Sequence, residues 1–175
     1  CRMRPRKPIQ PLPFGCYVWP VAILAALGLL DALYLSVSHY RVYTDIGYSS
    51  FCAISRAINC DTVSQSPFSI FLGVPVPVWG VVGYAGFLAM LGVAWRYRVV
   101  GGEHRGWGLL LGLAAVFSCC SLGLAIVSAV FVRAYCIMCI ASHAVSFLLL
   151  FFLWLLHRRY FPQGVWTSIA SDIRH

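Results

Sequence analysis

AYCIMCIASHAVSFLLLFFLWLLH, residues 134–157, is free of Asp, Glu, Lys and Arg and opens on the dithiol motif Cys136-Ile137-Met138-Cys139. A helix needs roughly 20 apolar residues to cross the hydrocarbon core of a bilayer, so this stretch is long enough to span. Its reading decides the fold, because a Cys-x-x-Cys pair then stands at the boundary between water and lipid. In a soluble protein the motif leaves metal binding and thiol redox chemistry open. At a membrane edge it admits a lipid-dissolved oxidant or reductant as the second substrate.

Outward from this stretch, three more run without charge: Pro8 to Leu30, Thr62 to Trp95 and Gly106 to Val132. Of the 175 residues 61% are hydrophobic and 10% charged, against roughly a quarter charged in an ordinary globular domain. The chain therefore reads as an all-α integral membrane protein, a bundle of four transmembrane helices. The expected spans are Tyr17 to Val37, Pro77 to Trp95, Trp107 to Phe131 and Tyr135 to Leu156. The first apolar run continues past Asp31 without a small-residue cleavage site, so it reads as a retained helix and not as a secretory signal. Gly80, Gly83 and Gly86 on the second helix, and Gly108, Gly112 and Gly123 on the third, are expected to permit close helix approach. No internal repeat or separable soluble domain is evident, and residues 1–175 read as one four-helix unit.

The formal net charge of +8 is topological rather than a nucleic-acid signature. Arg2, Arg4, Arg6 and Lys7 precede the first helix, Arg96, Arg98 and Arg105 lie between the second and third, and Arg158, Arg159 and Arg174 follow the fourth. These are ten of the thirteen basic residues, all on one side; Arg41, Arg56 and Arg133 fall on the other. The positive-inside bias then puts both termini in the cytoplasm. Cys1 and Cys16 fall on that reducing side, whereas Cys52, Cys60, Cys136 and Cys139 share the opposite, oxidising face. The expected location is a bacterial inner membrane with the redox cysteines periplasmic, or the endoplasmic reticulum membrane in a eukaryote.

Cys136 and Cys139 sit where a helix begins, so unpaired backbone donors and the helix dipole favour the reactive thiolate. Three residues along a helix keep the two thiols on one face, and reversible disulfide closure is geometrically easy. The competing reading is a pair of inert buried cysteines. Cys52 and Cys60 lie in a polar segment expected to swing between an external protein and the membrane; alone, they read equally as a static staple. A zinc site needs a closed tetrahedral cage, and an oxidising compartment favours disulfides instead. Between this loop and the second helix, Ser66 to Pro77 is apolar but broken by prolines. It is expected to form a short half-helix capping the outer end and roofing a pocket.

Cys52 and Cys60, Ser66, the tract SPFSIFLGVPVPVWG at residues 66–80 with its Trp79-Gly80 helix start, and Cys136-Ile137-Met138-Cys139 together resemble the vitamin K epoxide reductase family. The resemblance covers nearly the whole chain, and the proline-rich tract is similar to that of the prokaryotic branch, whose members act in disulfide formation. It implies that Cys139 acts on a quinone, ubiquinone or menaquinone, that Cys136 exchanges with Cys60, and that Cys52 faces a protein. Electrons would run from a reduced thioredoxin-like partner through Cys52 and Cys60 to Cys136 and Cys139, then to quinone. Only a tail from about Arg158 to His175 follows the last helix, so no fused thioredoxin-like domain is expected and the partner acts in trans. In the animal enzymes the quinone pocket has an Asn near the start of the second helix and a Tyr four residues after the second motif cysteine. Val76 and His143 occupy the matching positions here, a departure from the epoxide-reducing pattern.

Other candidates have plainer readings beside them. His143 shares a helix face with Cys139 and can reach a quinone oxygen, or simply pack. Ser66 matches a family serine near the quinone, yet Ser before Pro also makes an ordinary turn. Phe68, Phe71 and Trp79 suit an apolar ligand pocket and equally an interfacial anchor. Asp31, ionisable within a span, is read as a hydrogen-bonded interior residue without a catalytic role. Cys119 and Cys120 are read as mid-membrane packing residues. The leading expectation is a quinone-dependent thiol oxidoreductase. Its alternatives are a vitamin K quinone or epoxide reductase and a non-enzymatic scaffold with structural cysteines.

Overall fold

The computed structural model describes residues 13–55, 58–101 and 106–160. Cys1, Arg56, Arg105, Arg174 and the basic run at residues 2–7 lie outside them. Four helices are long and apolar enough to cross a membrane, as composition led us to expect. They are α1 (Gly15–Thr44), α3 (Val76–Gly101), α4 (Trp107–Val127) and α5 (Ile137–Tyr160); a short α2 (Cys60–Ser64) lies between the first two. The chain is a four-helix membrane bundle in which α5 packs on α1 and α4, α1 packs on α3, and α3 and α4 touch only lightly.

The first helix runs seven residues beyond its expected end, because nothing between Val37 and Thr44 breaks it. Its 30 residues span about 45 Å at 1.5 Å per residue, more than the roughly 30 Å of a hydrocarbon core. The last turns therefore carry polar groups: the Tyr48 hydroxyl donates to Ser38 Oγ at 3.2 Å, and Arg41 lies over the Tyr48 ring. The helix stops at Asp45, whose side chain accepts from the Gly47 N–H at 3.1 Å and turns the chain back.

Lipid tails are as apolar as the helices, so association depends on close packing more than on hydrophobic burial. The tightest approach joins α1 and α3. A Cβ on Gly28 would lie 2.5 Å from the Tyr84 ring, so only hydrogen fits there, and Gly80 meets the Ala32 methyl one turn further along. Gly83 likewise admits the Phe117 ring, whereas Gly86 and Gly123 face open space and are not approach points. Val21, Phe87, Trp107, Leu110, Leu149 and Leu153 form the dry centre of the bundle.

Where a half-helix was expected, residues 66–77 form a tighter device. Pro67–Ser69 makes a single 3-10 turn, followed by the two-residue strands β1 (Ile70–Phe71) and β2 (Val74–Pro75), paired antiparallel. Leu72 and Gly73 both take positive φ, 53° and 77°, which closes a two-residue hairpin of the kind whose twist matches its strands. Pro75 and Pro77 supply no backbone donors, so a longer helix cannot form. Trp79 Nε1 donates to the Phe71 carbonyl at 3.2 Å and ties the hairpin to the first turn of α3.

At the same end of the bundle, α4 ends in a π-helical turn, Ser128–Val132, and Arg133 takes φ 54°. Ser128 closes the turn by accepting the Arg133 N–H at 2.9 Å and donating its hydroxyl to the Ala134 carbonyl at 2.6 Å. Such turns are rare and interrupt helices chiefly at functional sites. Here the turn redirects the chain so that Tyr135 runs beside Ile58 in a parallel bridge before α5 begins.

Candidate active site

That bridge brings the two cysteine pairs together. Asn59 N–H donates to the Tyr135 carbonyl at 3.0 Å, so Cys60 and Cys136 follow paired backbone positions. Asn59 also caps α2, its side chain accepting from Asp61 N–H at 2.9 Å and Thr62 N–H at 3.1 Å. Asp61 in turn accepts from Ser50 N–H at 3.1 Å, fastening the start of the loop to its end. The result is a closed loop whose cysteines are bonded: Cys52 and Cys60 form a disulfide, with Cα atoms 5.7 Å apart.

The disulfide is not displayed to solvent. Cys52 is 0%, Cys60 2% and Cys136 3% exposed, and the three share one buried cluster with Leu35, padded by Tyr34, Val63 and Met138. The flexible, outward-facing loop expected from its polarity is thus folded inward, because the apolar faces of Cys52 and Cys60 complete the packing at the top of α1. Ser50 Oγ lies 3.5 Å from Cys52 Sγ.

Cys136 and Cys139 are free thiols. Cys136 stands between the third and fourth spans and begins α5, its carbonyl accepting from Ile140 N–H at 3.0 Å. The backbone N–H of Cys139 donates to Cys136 Sγ at 3.1 Å. Hydrogen bonding from the Cys139 side chain, reinforced by the backbone N–H groups of Cys139 and Met138, holds the Cys136 thiol below its ordinary value of 9.0 against the opposing effect of burial. The fold therefore favours the thiolate. That preference contributes stability above the unfolded pKa and is lost as pH falls through the folded one. In the reduced protein, the thiolate absorbance that disappears in Cys136→Ser is expected to titrate with a midpoint below 9.0. Cys139→Ala should move that midpoint upward; an unmoved midpoint would show that the Cys139 side chain is not the cause.

Cys139, one turn deeper, lines a cavity of about 360 Å³ between the helices and the 3-10 turn. Ser66, Phe68, Val76, Trp79 and His143 line it too, so five of the six expected ligand-contacting residues meet the second thiol in one space. Phe71 does not. It is 60% exposed on β1, where its carbonyl serves the Trp79 indole. Ser66 Oγ donates to the Val63 carbonyl at 2.8 Å and its own carbonyl accepts from Ser69, so it also fixes the turn. His143 has a buried Nδ1 that finds no partner among the described residues.

Several lining residues were not anticipated. His39, at the end of α1, has a buried Nδ1 without a partner among the described residues. Tyr84, Ser142 and Ser146 add hydroxyls, and Cys120, expected only to pack, faces the same space while Cys119 does not line it. Ser142 stands three residues after Cys139, a spacing that could have marked it from the sequence.

One buried cluster joins the loop disulfide to Cys136, and one cavity adjoins Cys139, so a disulfide, a dithiol and an apolar space lie side by side. Its class is that of a membrane-embedded redox enzyme. The model of the Vitamin K epoxide reductase family matches residues 19–154, and the chain belongs to that family. Among curated proteins, none matches the chain.

Proposed function

We propose that the protein oxidises a thioredoxin-like partner in trans and passes the electrons to a membrane quinone, supporting disulfide formation. The observation that carries this reading is the placement of Cys136 against the loop disulfide and of Cys139 on the apolar cavity. At about 360 Å³, the cavity falls in the range of small-molecule sites lined by apolar groups with a few polar anchors. Phe68, Val76 and Trp79 would hold a quinone ring, and Ser66 and His143 would meet its oxygens. A bound quinone supplies a sink for two electrons and two protons.

The chain's own residues then divide the work. A partner dithiol reduces the Cys52–Cys60 disulfide, and the partner leaves oxidised. Cys60 attacks Cys136 of the oxidised motif, expelling Cys139, and Cys52 attacks Cys60, expelling Cys136. A depressed thiol leaves faster in disulfide exchange, so the hydrogen bonds on Cys136 assist this last step. The bonded loop pair and free motif pair correspond to the state reached after internal exchange. Arg96, Arg98, Arg158 and Arg159 mark one end of the bundle and the cysteines the other, which supports periplasmic cysteines in a bacterial inner membrane. Val76 puts hydrocarbon into the cavity where the animal branch places an amide, which favours quinone over epoxide as acceptor.

Reconstitution in nanodiscs with a reduced thioredoxin-like protein and either ubiquinone or menaquinone tests the reading. One partner disulfide is expected per quinol formed. Partner oxidation that proceeds equally without quinone would sink it.

A further inference from the structure

A chain of hydroxyls crosses the bundle beneath Cys139. Ser142 Oγ on α5 donates to Oδ2 of Asp31 on α1. The Ser142 carbonyl accepts from Ser146 Oγ at 3.0 Å, Ser146 Oγ lies 3.1 Å from the Tyr84 hydroxyl on α3, and Ser118 Oγ on α4 donates to the Ser146 carbonyl at 3.1 Å. All four membrane helices thus contribute a polar group to one network. Ser142, Ser146 and Tyr84 line the cavity with Cys139, so the network meets the reacting space.

Asp31 is the sole carboxyl in this network, and its second oxygen, Oδ1, is buried with no partner among the described residues. An interhelical hydrogen bond alone would be served by Asn or Ser at lower cost, since an ionisable group inside a span is expensive. What a carboxyl adds is a site that can gain and lose a proton. Resting on the quinone-linked reading above, we propose that Asp31, through Ser142, takes up the proton of the Cys139 thiol and returns it to the reduced quinone.

The balance closes. As the Cys136–Cys139 bond forms, two S–H bonds break, and the dithiol gives up two electrons and two protons; quinone takes both pairs and leaves as quinol. Asp31 holds one proton between the loss from sulfur and the gain by oxygen. Asp31 interacts electrostatically with Cys136 and Cys139 at the start of α5 and with Tyr84 on α3, and the cavity that Cys139 and Tyr84 line also carries His143 on α5, Cys120 on α4 and His39 on α1. None of these is a carboxyl.

Two readouts on the purified, reduced protein test the assignment. The first needs no quinone: the rate at which a membrane-soluble maleimide alkylates Cys139, measured by peptide mass spectrometry across pH. As a proton acceptor, Asp31 speeds this reaction at neutral pH, so Asp31→Asn slows it and makes it depend more steeply on pH, and Ser142→Ala does so partially. As a fixed negative charge or a helix fastener, Asp31 predicts the opposite, an equal or faster alkylation, and that result overturns the proposal. The second readout is single-turnover oxidation of the dithiol by quinone. Asp31→Asn is expected to slow it by about 100-fold, the lower range of general acid–base effects, while the exchange step that does not involve Cys139, attack of Cys52 on a Cys60–Cys136 bond, stays unchanged. Equal slowing of both steps also overturns it. If wild-type protein is not oxidised by quinone at all, the quinone reading fails, and the maleimide profile still decides whether Asp31 serves Cys139.

Discussion

Cys139→Ala is expected to abolish quinol formation and to leave a covalent record of the step before it. Cys139 is the motif thiol on the cavity, and Cys136, which does not line that space, lies in the buried cluster with the loop pair. Removing a nucleophile that acts with a partner eliminates the covalent route, so quinone reduction is expected to fall by more than about a thousand-fold. The remaining Cys136 thiolate can still attack Cys60 of the adjacent disulfide and release Cys52, but no Cys139 thiol is present to attack Cys136 and free Cys60. A Cys60–Cys136 bond should therefore accumulate, since Asn59 and Tyr135 hold the preceding backbone in register. Non-reducing peptide mapping reads it directly. Retained quinone turnover in this variant would remove Cys139 from the mechanism, and a Cys52–Cys136 product would reverse the assigned order of the loop.

Cys60→Ala separates the two half-reactions. Oxidation of the protein partner is expected to drop to background, because electrons no longer have a covalent path to Cys136. Oxidation of the motif dithiol by quinone should persist after reduction with a small dithiol, since the cavity and Cys139 are untouched. The substitution also opens a loop that a disulfide of sequence separation 8 closes, costing about 2–3 kcal/mol in the chain-entropy account. The half-reaction ratio, rather than total activity, is thus the measurement that matters. Partner oxidation equal to wild type would mean that the partner delivers electrons to the motif without the loop.

The four spans and the gathering of cysteines at one end were legible because each depends on composition alone: charge-free runs and the asymmetric placement of arginine. Contacts among the helices were not. Each helix is apolar on every side, so no polar stripe separates the lipid face from the packed face. The meeting of Gly28 with Tyr84 leaves no trace in the pattern, and Gly86 and Gly123 resemble packing glycines yet touch nothing. The π turn at Ser128–Val132 escaped for a similar reason, since its residues are ordinary helix formers redirected by tertiary context. In the site, Cys139 and five residues that line the same cavity, Ser66, Phe68, Val76, Trp79 and His143, were named from motif, spacing and resemblance, whereas most of the cavity wall was not. Phe71 was misplaced because alternation within a two-residue hairpin cannot be told from a helical turn in so short a segment. The inward fold of the loop was hidden because its polarity belongs to Asn59, Asp61 and Ser50, which spend their hydrogen bonds on the loop itself.

Burial of the Cys52–Cys60 bond makes it an insulated terminal. Thiol exchange requires in-line approach to a sulfur atom, and rates fall with loss of access. With Cys52 wholly covered, a small soluble thiol meets a closed surface, whereas a protein that displaced the segment carrying Cys52 would expose the sulfur. On the proposed reading, access rather than potential would select the reductant.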